Sequence, residues 1–386
     1  MKYDFNSIPD RRYTGSYKWI DTEKGKFADG AFPLSTADME WGTAPEIRKA
    51  CADFAMKGIY GYTIPDDAYR KVVCDFMKRR HEWNVQPEWI VTTYGIVSAI
   101  HTCVRAFTKE GEGVIIQQPV YGHFEAAVKL NNRKVVNNSI LFNNGRFEIN
   151  FDELEKLAAD DNNKMLILCS PHNPIGRVWD KEELEKIADI CIRNNVTIIS
   201  DEIHFDIVSK KHTVLASLSD AVSEITVTCT APSKSFNIAG LGTSNIIIAN
   251  EKLREAFAGV IEKDGYECIN AFAYPAIMAA YTECDDWLDE MNANIKANYE
   301  YLRAYIEKNM PAVKCFDLEG TYLVWLDVSC LNVPDDEIVE YFAKNAGLVP
   351  NSGGWFGKEG LGFIRLNIAV PRKVLEDCLE RMKKLF

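Results

Sequence analysis

Ala231-Pro232-Ser233-Lys234-Ser235-Phe236-Asn237 follows a run, residues 225–230, with the β-branched composition of a buried strand, and precedes the glycine-punctuated turn Ala239-Gly240-Leu241-Gly242. Two polar punctuations of the same kind lie upstream. Ser170-Pro171-His172-Asn173-Pro174-Ile175-Gly176 follows the apolar run 165–169, and Asp201-Glu202-Ile203-His204 follows the run 196–200. An Asn, an Asp and a Lys thus leave three buried strands in that order. Open α/β sheets bind ligands beyond the carboxyl ends of their strands, so the three side chains are expected at one rim.

The surrounding pattern alternates strand and helix. Residues 89–93 predict a strand and 96–107 a helix with Gly95 at the join; 114–117 predict a short strand ending before Pro119, and 151–159 a helix. The clearest helix is 181–193, with Asp180 as N-cap and Leu184, Ile187, Ala188 and Cys191 on one stripe. Residues 196–200, 225–230 and 245–249 add strands. Such alternation predicts an α/β fold with a mostly parallel sheet covered by helices. The C-terminal third differs: helices at 292–308, 334–345 (closed by Gly347) and 372–385, and strands at 322–328 and 363–370, predict a smaller α+β unit. The expected division is a large domain, 46–280, and a small one, 1–45 plus 281–386, without internal repeats.

A chain of 386 residues with 47% hydrophobic and 26% charged residues has an ordinary globular composition. The net charge of −12 argues against nucleic acid or an anionic membrane surface as partner. Eleven cysteines with no C-x-x-C spacing are expected to be reduced thiols. With neither an apolar leader at residues 1–10 nor a membrane-length apolar stretch, a cytoplasmic protein is expected.

Asn, then Asp, then Lys at successive strand exits is the order a pyridoxal phosphate enzyme needs. The Lys would hold the cofactor as a Schiff base, the Asp would keep its ring nitrogen protonated, and the Asn would bond its phenolic oxygen. The chain resembles fold-type I pyridoxal phosphate enzymes of the aminotransferase class I/II superfamily. Within them it is similar to the MalY/PatB-like cystathionine β-lyase (C–S lyase) branch. The resemblance runs through Tyr3-Asp4-Phe5, Lys18-Trp19, Ala37-Asp38-Met39-Glu40-Trp41, Gly61-Tyr62, residues 171–179, Asp201-Glu202-Ile203-His204-Phe205-Asp206, the Lys234 motif and Arg365-Leu366-Asn367-Ile368-Ala369.

That resemblance implies roles for further residues. Tyr121 would stack on the cofactor ring. Gly95, Ile96 and Val97 would offer a helix N-terminus to its phosphate, and Ser233 a hydroxyl. Tyr62 would reach the phosphate of a second subunit, implying a homodimer with shared active sites. Many aminotransferases carry an Arg eight residues after the Lys as a phosphate ligand; Gly242 stands there in this chain, so amides and hydroxyls must serve instead. Arg365 would clamp the substrate α-carboxylate as a planar fork, with an N–H from Ala37 assisting and Tyr322 near the side-chain pocket. His204 is expected to orient Asp201 or Tyr121. No H-E-x-x-H accompanies it, and no metal is expected.

The implied reaction is α,β-elimination from L-cystathionine or a related S-substituted L-cysteine, with Lys234 as general base, giving a thiol, pyruvate and ammonia. Transamination uses the same residues and is the alternative. A dicarboxylate aminotransferase would want a second Arg in the pocket, and none can be assigned. A third reading adds a regulatory binding role to the lyase.

Overall fold

Residues 165–169 and 197–201 present apolar or small side chains on both faces, a pattern that only a sheet covered on two sides can bury. In the computed structural model, which describes residues 2–27, 30–266 and 268–386, they lie at the centre of a seven-stranded sheet. Its strands are β1 (Ile90–Thr93), β2 (Gly113–Ile116), β3 (Lys134–Asn137), β4 (Asn163–Cys169), β5 (Thr197–Asp201), β6 (Thr226–Thr230) and β7 (Ser244–Ile247), in the order β1-β7-β6-β5-β4-β2-β3. Only β7 runs antiparallel to its neighbours. Period-two alternation splits the side chains of β4 between two cores. Met165 and Ile167 pack beneath α1 (Ile96–Phe107), whereas Leu166 and Leu168 pack beneath α2 (Lys181–Arg193). The Asp180 N–H donates to Glu183 Oε2 at 2.7 Å, fixing the start of α2 as its capping sequence predicts.

Register sets the functional rim. Cys169 on β4 pairs with Asp201 on β5, and Asp201 with Cys229 on β6. The exits of these three strands lead into the Asn173, Asp201 and Lys234 segments. Asp201 is the last residue of its strand, which begins and ends one position later than the expected 196–200.

A second, four-stranded antiparallel sheet holds β8 (Lys314–Cys315), β9 (Leu323–Asp327), β10 (Asn351–Ser352) and β11 (Phe363–Asn367) in the order β8-β9-β11-β10. Two helices differ from expectation. The helix expected over 292–308 begins earlier, as α3 (Asp285–Asn309); its first turn carries Asp285 and Asp286, which suit a helix N-terminus. The helix expected over 334–345 is α4 (Ile338–Ala346). Asp335 is spent outside it, accepting from Ser352 Oγ and from Gly354 N–H at 3.1 Å. The strand expected over 363–370 stops at Asn367, whose side chain turns back to accept from the Ala369 N–H.

The N-terminal segment is stitched to this second sheet. Phe32–Pro33 pairs in parallel with Leu348–Val349, and the Asn367 N–H donates to Leu34 O at 2.8 Å. Residues 36–41 then follow, held by side chains from β11 and from the turn after the Lys234 helix. Asn367 Nδ2 donates to Thr36 O and Asp38 O (2.7 and 2.6 Å), and Asn237 Nδ2 to Met39 O and Trp41 O (3.1 and 2.9 Å). Beneath the segment lies an ion pair with no exposed side-chain surface, Lys18 Nζ to Glu40 Oε1 at 2.8 Å. Asp38 lies beside it, paired with Arg11 at 2.6 Å. None of the eleven cysteines forms a disulfide.

Removing Glu40 leaves the buried Lys18, among the described residues, with only the longer carboxylate contact to Asp38, at 3.5 Å. Glu40→Ala is therefore expected to cost about 3–5 kcal/mol in urea unfolding, and Lys18→Met with Glu40→Leu together clearly less than Glu40→Ala alone. Equal losses in the two variants would mean that the pair is not the source of the stability.

Candidate active site

The strand exits converge on a cavity of about 640 Å³ whose wall includes Ala37, Gly95, Ile96, Val97, Tyr121, Asn173, Asp201, His204, Ser233 and Lys234. Ten of the thirteen residues singled out from the sequence thus share one space. Arg365 joins them by contact, its Nη1 donating to Asn173 Oδ1 at 2.9 Å.

Lys234 sits in a one-turn helix (Pro232–Ser235) with Pro232 at its start. Its Nζ donates to Ala37 O at 2.6 Å and makes no ion pair among the described residues. Burial pushes the amine down to about 8; Asp38 and Asp201 pull upward, while Arg365 and Lys18 push further down. Asp201 is equally confined. Its Oδ1 accepts from the Ile203 N–H at 3.2 Å, and burial raises the carboxyl to about 7. A carboxyl so placed has a strong preference for a cationic partner.

Arg365 on β11 is buried, yet its hydrogen-bond partners are all neutral. Nη2 donates to Ser35 O at 2.7 Å and to Asn351 Oδ1 at 2.5 Å, the guanidinium lies 4.9 Å over the Phe356 ring, and Nε has no partner among the described residues. Burial lowers it to about 10, which leaves it charged at neutral pH. A buried cation without an anion is a receptor for one.

At the opposite end, α1 begins at Ile96 after Gly95, whose φ of 118° suits glycine alone. Its first residues line the cavity, and a helix leaves its first N–H groups without intrahelical acceptors. Gly242 lines the same end with φ at 55°, and a Cβ there would lie 2.7 Å from the Tyr94 ring. Tyr94 therefore fills the space that a longer residue at 242 would need. Two flanking residues that sequence reasoning missed, Thr243 and Ser244, carry buried hydroxyls without partners and also line the cavity. Their signal was their place beside Gly242, where hydroxyls were already expected.

Three further residues singled out from the sequence are placed as follows. Ala37, expected to offer its N–H, uses its carbonyl within the chain, accepting from Lys234 and from Tyr322 OH at 2.9 Å. His204, expected to orient Asp201 or Tyr121, bonds to neither; its ring meets Tyr322 edge-on at 5.8 Å, and burial holds it well below the usual histidine range. Tyr62, expected to serve a second subunit, is 99% exposed and is not part of its own chain's cavity wall. The run 201–206 fans out. Asp201 faces the cavity, Glu202 bonds His212 Nε2 at 2.8 Å, and Asp206 takes His81 Nε2 at 2.8 Å and Ser235 Oγ at 2.6 Å. Tyr121 stays protonated, pushed up to about 12 by burial and by Asp201.

The sequence model of the family described as aminotransferase class I and II matches residues 26–382. Cystathionine beta-lyase PatB of Bacillus subtilis is 39% identical over 382 residues, covering 98% of this chain and 99% of its own length. Protein MalY of Escherichia coli is 30% identical, covering 97% and 96%. The crystal structure of cystalysin from Treponema denticola, which contains a pyridoxal 5'-phosphate cofactor, matches with a TM-score of 0.96 at 40% identity over 100% of this chain and 99% of that one.

The depressed amine gives a pH signature. A neutral amine is the nucleophile toward an aldehyde, so capture of pyridoxal phosphate by the apoprotein is expected to plateau above about pH 8. Below that the rate should fall about tenfold per unit, whereas an unperturbed lysine would still be gaining reactivity up to about pH 10. Stopped-flow absorbance across pH 6–10 reads the midpoint; one near 10 would mean that burial does not govern Lys234.

Proposed function

This chain belongs to the aminotransferase class I and II family, and we propose that it is a pyridoxal phosphate-dependent carbon–sulfur β-lyase cleaving L-cystathionine or related S-substituted L-cysteines to a thiol, pyruvate and ammonia. The observation that carries this reading is a single buried arginine without an anion, Arg365, beside the cavity of Lys234 and Asp201, in a chain alike over its whole length to a cystathionine β-lyase.

The residues fit the cofactor on their own chemistry. Lys234 offers an amine of lowered basicity, and Asp201 a buried carboxyl lacking a cation, suited to hold a proton at the ring nitrogen. Tyr121 offers a flat face and Asn173 an amide. The α1 N-terminus with Ser233, Thr243 and Ser244 offers neutral donors for a phosphate. When bound, pyridoxal phosphate supplies an electron-withdrawing ring that stabilises negative charge at the substrate Cα.

The protein's own part follows from the geometry. Arg365 would grip the substrate α-carboxylate, its plane fixed by Asn173, Ser35 and Asn351 and its flank by Phe356. Lys234, neutral in useful proportion near pH 8, would take the Cα proton. The resulting ammonium would rest on Ala37 O. Ile203 and Tyr121 add apolar surface to the cavity wall. Arg105, which lines the cavity, is held by Asp264, which leaves it unsuited to a second substrate carboxylate and favours elimination over dicarboxylate transamination.

A homodimer is part of the proposal. Met56, Ile59, Tyr60, Tyr62, Ile64 and Tyr94 are all exposed, a patch suited to a second copy that would bring Tyr62 to the neighbouring cavity. So are the division into 46–280 against 1–45 plus 281–386, and a cytoplasmic location; among the described residues no helix is long and apolar enough to cross a membrane.

Purified protein given L-cystathionine without any 2-oxo acid is expected to release pyruvate, ammonia and homocysteine in equal amounts, and Lys234→Ala to abolish this. Turnover only after a 2-oxo acid is added would overturn the lyase reading in favour of an aminotransferase. Arg365→Ala should lower kcat/KM at least about 10²-fold, the loss of a charge-assisted hydrogen-bonded pair worth roughly 3 kcal/mol, with Arg365→Lys in between.

A further inference from the structure

The Ala37 carbonyl accepts two hydrogen bonds from opposite sides, from Lys234 Nζ at 2.6 Å and from Tyr322 OH at 2.9 Å. The carbonyls on either side of it are claimed elsewhere, Thr36 O and Asp38 O both by Asn367 Nδ2. Ala37 O is thus singled out and turned toward the lysine. Tyr322 stands immediately before β9 and is fully buried, its ring is backed edge-on by His204, and its hydroxyl makes no other hydrogen bond among the described residues. It does not line the cavity.

We propose that Tyr322 is a positioning residue for Lys234 and not a substrate contact: its hydroxyl fixes the carbonyl on which the lysine amine rests when free. A carbonyl oxygen has two lone-pair directions. With one taken by a neutral O–H, the other points at Nζ, and the competing donor limits how strongly the oxygen can stabilise an ammonium. The charged groups around the amine, Asp38, Asp201, Arg365 and Lys18, act on it through space without a hydrogen bond. Ala37 O is therefore the contact that sets where the amine points. The inference corrects the expectation that Tyr322 shapes the side-chain pocket, and it leans on the lyase reading only for the choice of substrate.

Tyr322→Phe removes the hydroxyl and keeps the ring. In the apoprotein it is expected to move the pH midpoint of pyridoxal phosphate capture upward by about half a unit, because the freed carbonyl favours the ammonium. In the holoenzyme kcat for L-cystathionine should fall about tenfold with KM unchanged, the pattern of a contact that matters to proton transfer rather than to binding. Tyr322→Leu, which also loses the ring, separates packing from positioning. Equal effects of the two variants on the capture profile, with a matching loss of thermal stability only for Leu, support the hydroxyl. A raised KM with an unchanged capture profile would make Tyr322 a substrate contact and overturn the proposal, as would a profile and kcat that do not move. The capture assay needs no lyase activity, so its failure is distinct from failure of the proposed reaction.

Discussion

A primary amine buried without a carboxylate to neutralise it is the constraint on which the rest of this molecule depends. Burying Lys234 costs the charged form its hydration, and the chain answers with a single carbonyl, a lowered proton affinity and a ring of more distant charges of both signs. The arrangement needs a strand exit that brings the lysine inward, which β6 and the one-turn helix provide. It also needs a rigid acceptor, which residue 37 cannot be alone because it lies in an irregular segment. Lys18, Arg11, Asn237 and Asn367 fix that segment from beneath and from both ends.

The same economy governs the other ionisable groups. Asp201 and Arg365 are buried and, among the described residues, are neither paired with each other nor with any other side chain of opposite charge. A protein that only needed stability would pair or delete them, since an uncompensated buried charge destabilises. Kept apart across one cavity, they give it a graded interior: an anion-seeking end at α1, a cation-seeking carboxyl, and an anion-seeking arginine. In contrast, Glu202–His212 and Asp206–His81, drawn from the same short run, are satisfied within the scaffold.

Much of this was legible in the chain. The buried runs at 165–169, 196–200 and 225–230 dictated the sheet, and their exits brought Asn173, Asp201 and Lys234 to one wall because register in a parallel sheet aligns carboxyl ends. Helix starts were legible where a cap marked them, as at Asp180, and misplaced where a side chain was committed elsewhere, as at Asp335. The fate of polar side chains was the least accessible. That His204 would face Tyr322 rather than Asp201, or that Ala37 would offer its oxygen, depends on how an irregular segment runs, and no periodicity encodes that path. Asn237 and Asn367 lay inside motifs that were quoted for other reasons, and their amides proved to be the fasteners.

Those two asparagines also impose an order of assembly. Residues 36–41 emerge early in synthesis, yet two of their anchors lie about 200 and 330 positions later, one in the turn that follows the Lys234 helix and one at the end of β11. Until both asparagines are in place the segment is held only by its near neighbours Lys18 and Arg11, and the carbonyl that receives the lysine has no fixed address. A partly folded chain can therefore present the lysine without the acceptor, but never the finished site. Maturation of the site is tied to the closing of the longest loops in the chain, whose entropic cost is met only when the whole molecule folds.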